Sequence, residues 1–171
     1  MARAWDVPGL TGGSRFRDAA GRVILTRWRE MMSYRDGTLA GDDIEELHAM
    51  RVSSRRLRAA MDAFEGAFPR DSFRPLLRQV KEITDVLGDA RDLDVAVERL
   101  LDVLPGLRED ERPGIEGLIA RYREERAAEE PKIAALMRRV EKDDFEARLA
   151  AYVATHTGVK LAKLKPRPPE D

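Results

Sequence analysis

The sequence predicts an all-α fold, a helical bundle of about five to seven helices. Three observations carry this. Apolar residues recur at steps of three and four through most of the chain. Ala, Leu, Arg and Glu are abundant while aromatics make up only 6%, a balance that favours helix over sheet. No alternating run of β-branched residues is long enough to make a strand. At 171 residues the chain can bury the core of one domain.

Residues 1–13, with Pro8, Gly9, Gly12 and Gly13, read as a flexible lead-in. Ser14 is an N-cap candidate, and Phe16, Ala20, Val23, Ile24, Trp28, Met31 and Met32 give a first amphipathic helix. Asp36-Gly37 reads as its stop, and Gly41-Asp42 with Glu45 as a restart near Asp42. The second helix carries its apolar stripe at Leu47, Met50, Leu57, Met61, Phe64 and Phe68 and is closed by Pro69.

A third helix is expected from about Asp71, with Phe73, Leu76, Leu77, Val80, Ile83 and Leu87 inward and Gly88 as its C-terminal stop. A fourth, starting between Asp89 and Asp92, carries Leu93, Val97, Leu100, Leu101 and Leu104 as far as Pro105-Gly106. Pro113 suits the first turn of a long fifth helix with Ile115, Leu118, Ile119 and Tyr122 on one face. Pro131 predicts a kink or a break in it. Asp143 with Glu146 reads as a capping box for a last helix through Phe145, Leu149 and Tyr152. The bundle is thus expected over 14–155, with 156–171 as a flexible, basic, Pro-rich tail.

With no cysteine, the chain has no disulfides, thiolate metal sites or cysteine nucleophile. The N-terminus shows no signal-peptide core and no stretch is long and apolar enough for a membrane span, so a cytoplasmic protein without membrane attachment is the expectation. Net charge is only −1, but it is unevenly laid out. From His48 to Lys81, eight basic side chains face three acidic ones, whereas residues 82–130 hold 15 acids against 7 bases. A basic face can therefore exist on a nearly neutral protein. Of the 31 basic residues 25 are Arg, whose rigid fork of donors suits phosphate oxygens better than an ammonium does.

The stretch His48-Ala-Met-Arg51-Val-Ser-Ser-Arg55-Arg56-Leu-Arg58 concentrates this charge. Steps of 3, 4 and 3 place His48, Arg51, Arg55 and Arg58 on one helical face, a stripe of about 15 Å. Arg56 lies about 100° round from Arg55 and widens it. On the next helix Arg74, Arg78 and Lys81 repeat the arrangement, so two antiparallel neighbours could join their cations in one surface. Two readings fit these residues: a solvated face ion-paired to acids on other helices, or a binding surface for a multivalent anion.

His48-x-x-Arg51-Val-x-x-Arg55-Arg56-Leu-Arg58, followed by Leu87-Gly88-x-x-Arg91-Asp92-x-Asp94-Val95, resembles the first half of a CHAD domain, the conserved histidine α-helical domain. The likeness spans roughly Ser14 to Tyr152. It implies a helical bundle that binds inorganic polyphosphate along a basic groove, without catalysis and without a cofactor. By resemblance the binding role falls to His48, Arg51, Arg55, Arg56 and Arg58, and less closely to Arg78 and Lys81; Arg74 joins them as a binding candidate by its helical spacing. A usual member has two such halves related by a pseudo-twofold axis, and here the motif occurs once. A homodimer with twofold symmetry would supply the other wall of the groove. Association with polyphosphate granules is compatible with that likeness but is not given by the sequence.

Other chemistries have less behind them. A metal at His48 lacks converging ligands, since the only other histidine is His156. Arg91, Asp92 and Asp94 invite a catalytic or metal reading, but more simply Asp89 or Asp92 caps a helix and Arg91 pairs with a carboxylate or braces the groove. No nucleophile–base pair can be assembled. A nucleic-acid module would use the same Arg stripe, but the chain has no aromatic stacking set, which leaves nucleic acid as a nonspecific polyanion. A scaffold that docks its acidic helices on another copy's basic face remains a third reading.

Overall fold

The apolar stripes read above close on one another around a single core. In the computed structural model, which describes residues 3–165, the order is α1 (Phe16–Met32), α2 (Arg35–Ala40), α3 (Ile44–Ala63), α4 (Arg70–Val103), α5 (Arg112–Lys142) and α6 (Phe145–Thr157). Single 3-10 turns lie at Glu65–Ala67, Leu104–Gly106 and Leu161–Lys163, and no strand occurs among the described residues. Six α-helices and no sheet among the described residues make this an all-α bundle. Among the described residues no helix is long and apolar enough to cross a membrane.

Trp28 of α1, Met50 and Leu57 of α3, Phe73, Ile83 and Leu87 of α4, Met137 of α5 and Phe145 of α6 are fully buried and form the centre. The rings of Trp28 and Phe145 lie 4.9 Å apart, and the indole Nε1 donates to Glu146 Oε2 at 2.9 Å. Leaving that indole N–H unpaired in the interior would cost about 1–3 kcal/mol.

The structure corrects several element boundaries. Ser14 does not cap α1: its hydroxyl accepts from the Thr11 amide, and Arg15 holds the cap position. Asp36-Gly37 does not stop the chain but sits inside α2, which ends at Gly41 in the left-handed region (φ 74°). Asp43 then caps α3, accepting from the Glu45 amide at 2.8 Å.

The expected third and fourth helices are one 34-residue helix, α4, which runs straight through Gly88. A glycine in a helix costs about 1 kcal/mol relative to alanine but ends it only where the backbone turns left-handed, and Gly88 does not. Pro131 likewise does not break α5. Its turn is held by Ile133, Leu136 and Met137 in the core after it and by the Arg126–Asp94 ion pair to α4 before it.

At α6 the expected capping box is absent, because Glu146 is engaged by Trp28 and Asp144 takes a left-handed conformation (φ 47°) at the N-cap. Both ends of the described chain are tied down. Arg22 Nη1 donates to Pro8 O at 2.9 Å and Arg27 Nη2 to Trp5 O at 2.6 Å. Beyond α6, Val159 and Leu164 are buried and Arg29 Nη1 donates to Leu164 O at 2.7 Å. Residues 156–165, expected as part of a flexible tail, thus pack on the bundle through apolar side chains spaced too irregularly to read as an element. The rest of the expected tail, 166–171, lies outside the described residues.

Candidate anion-binding site

α3 and α4 lie antiparallel, and four side-chain contacts, three from α3 and one from the turn after it, fix their register. Arg51 lies over Gly88, Arg58 Nη1 reaches Asp85 Oδ1 at 3.5 Å, Lys81 Nζ reaches Asp62 Oδ1 at 3.3 Å, and Arg74 Nε approaches Glu65 Oε1 at 3.9 Å. From Gly88 to Arg74 this edge of α4 covers about 21 Å.

Two adjoining clefts open along that edge. One, of about 310 Å³, is lined by Arg51, Arg55, Arg58 and, across from them, Thr84 and Asp85. The other, of about 510 Å³, is lined by Arg74, Leu77, Arg78 and Lys81 with Glu65 and Asp71. Asp62 lines both and stands at their junction. The cations predicted on two consecutive helices therefore form one basic trough. It is not purely basic, since six cations share it with four carboxylates.

Inside the trough the cations differ in how far they are already satisfied. Arg55 and Arg78 are exposed and make no ion pair or hydrogen bond among the described residues. Arg51 is half-buried, and its Nη1 is buried without a hydrogen-bond partner. Burial first, and then the neighbouring Arg55, hold its pKa below the ordinary arginine value, with Asp92 and Asp85 acting the other way. A guanidinium stays protonated under any such shift, so Arg51 presents a charged, partly desolvated donor. Arg58 and Lys81 both reach Asp62, at 3.9 and 3.3 Å.

Two predicted residues are not brought into the clefts. Arg56 turns toward α1, where its Nη1 binds Glu30 Oε1 at 2.8 Å. Glu30 is fully buried and is held from the other side by Arg27. His48 lies one helical turn before Arg51, and its Nδ1 accepts from Arg91 Nε at 3.2 Å. An accepting Nδ1 leaves the ring proton on Nε2. Arg91 also forks onto Glu98 at 3.0 and 3.3 Å and so ties His48 to α4, while Asp92 caps nothing because α4 runs through it.

Sequence reasoning missed three contributors. Glu30 looks like a surface acid, with only the i,i+3 spacing from Arg27 to mark it. Gly88 carries a helix-stop identity but acts as a seat for a side chain. Asp85 was hidden in an acidic region whose cross-helix partner could not be read from one helix. Among the described residues no group of three or more His, Asp or Glu side chains is placed to hold a metal.

Compared with known proteins, residues 22–170 match the sequence model of one family, the CHAD domain. No curated protein and no solved structure matches the chain.

Proposed function

The chain belongs to the CHAD domain family, and from that premise we propose that it binds inorganic polyphosphate, without catalysis, along the trough between α3 and α4. The observation that carries this reading is the trough itself. Arg51, Arg55, Arg58, Arg74, Arg78 and Lys81 line two connected clefts, and three of them, Arg51, Arg55 and Arg78, make no ion pair among the described residues. A phosphate chain offers closely spaced, charged acceptors, and each charge-assisted hydrogen bond contributes about 1.5–3 kcal/mol. His48 joins the proposal at one end, with Nε2–H as the donor. Arg56 contributes through Glu30 to the shape of the bundle rather than by contact.

The reading includes a twofold homodimer whose second chain supplies a second wall. The outer stretch of α4 and α5 supports a partner: no apolar residue from Arg91 to Leu118 is buried, and Leu101 and Val103 are 41% and 55% exposed. It places the protein in the cytoplasm, at polyphosphate granules where these form. Nucleic acid would bind only as a competing polyanion, since a polymer without bases requires no stacking platform. Competition is the test. Long-chain polyphosphate should displace duplex DNA, and DNA in equal phosphate should fail to displace polyphosphate; the reverse order would favour a nucleic-acid module. Light scattering with and without polyphosphate tests the dimer, and a monomer under both conditions contradicts it.

A further inference from the structure

We infer that Asp62 selects for chain length: its carboxylate is a resident anion that a short phosphate chain leaves in place and a long one displaces. The inference rests on the polyphosphate reading above and deepens it. Asp62 is the one residue that lines both clefts. It is clasped from both helices, by Arg58 Nε at 3.9 Å on α3 and by Lys81 Nζ at 3.3 Å on α4.

Upstream of this clasp, Arg51 to Arg58 spans about 10 Å along α3, and downstream Arg74 to Lys81 spans about 10 Å along α4. An anion confined to either half meets Asp62 only at one end of its cleft and can settle on the cations beyond the clasp, Arg51 and Arg55 on one side or Arg74 and Arg78 on the other. A chain that runs through both halves must pass between Arg58 and Lys81, where the carboxylate already stands.

Asp62 occupies the last turn of α3, the end at which the helix dipole disfavours negative charge. It is 47% exposed, so it can swing into solvent when displaced. The exchange then releases two cations to the incoming chain. Asp62 therefore sets a threshold: long chains repay its displacement with contacts in both clefts, and short ones do not.

The test is calorimetric titration of the full chain with tripolyphosphate and with long-chain polyphosphate. It compares wild type, Asp62→Asn, and the control Asp71→Asn, which removes a carboxylate lining the second cleft alone. Asp62→Asn should tighten long-chain binding on the order of tenfold, the scale of one like-charge contact removed near a protein surface. Its effect on tripolyphosphate should not exceed that of Asp71→Asn, so the ratio of long- to short-chain affinity rises only in the Asp62 variant. Asp62→Ala serves as a second variant, with helicity checked by circular dichroism. An unchanged or lower ratio in variants that bind both polymers overturns the role of Asp62 alone. A wild-type protein that binds neither polymer overturns the polyphosphate reading and this inference together.

Discussion

The guanidinium of Arg51 lies against the bare backbone of Gly88, where an added Cβ would stand 3.1 Å from Nε and 3.2 Å from Nη2. Contacts that close are tighter than side chains ordinarily tolerate, so Arg51 would have to shift. Gly88→Ala should therefore separate binding from stability. Alanine favours the helix by up to about 1 kcal/mol, so thermal stability should hold or rise. Polyphosphate affinity should fall about threefold to tenfold as Arg51 is pushed from its place. Paired thermal melts and titrations check this. Unchanged affinity would mean that Arg51 is not a ligand contact.

Adjacent arginines should behave differently. Arg56 neutralises fully buried Glu30, whereas Arg55 is exposed in the first cleft. Arg56→Ala should cost about 2 kcal/mol in urea unfolding, less than a buried charge stripped of every partner because Arg27 remains. Arg56→Glu should cost more, by setting two carboxylates together. Arg55→Glu should leave the unfolding midpoint within about 0.5 kcal/mol and weaken polyphosphate binding. Equal unfolding effects from the two positions would contradict this division.

Asp94 should leave a mark on the pH dependence of stability. Its carboxyl is 9% exposed, and burial raises its pKa above 3.8 although Arg126 partly opposes the shift. The folded chain therefore holds this proton at pH values where the unfolded chain has lost it. Stability from this group is fully present below 3.8 and is lost as pH rises through the folded pKa. Asn cannot titrate, so the stability of Asp94→Asn relative to wild type should improve as pH rises from about 3.8 and then level off. Urea midpoints across the acid range read this directly. A relative stability that fell over the same range would reverse the assignment.

Local patterning made the bundle legible. Apolar steps of three and four marked the buried faces of Trp28, Leu57, Leu87 and Leu149, and composition left no room for a sheet. Helix ends were read less well, because Gly88 and Pro131 interrupt a helix only if tertiary contacts allow it. Here α3 and α5 grip α4 on both sides of Gly88. Of the site, the spacing of Arg51, Arg55 and Arg58 and of Arg74, Arg78 and Lys81 was legible, since each set lies on one helix. Their union into a trough, the diversion of Arg56 to Glu30 and the place of Asp62 between the clefts depend on which helix faces which. A single-helix pattern does not hold that information.

The most direct test of the central claim titrates long-chain polyphosphate into wild type and Arg55→Gln/Arg78→Gln at two salt concentrations. These two cations make no ion pair among the described residues, so the variant should fold and melt as wild type does. Wild type should bind tightly and weaken with salt, and the variant should show an affinity at least tenfold lower with a shallower salt slope. Binding of equal strength and equal salt dependence in both proteins would contradict the trough as the polyphosphate site.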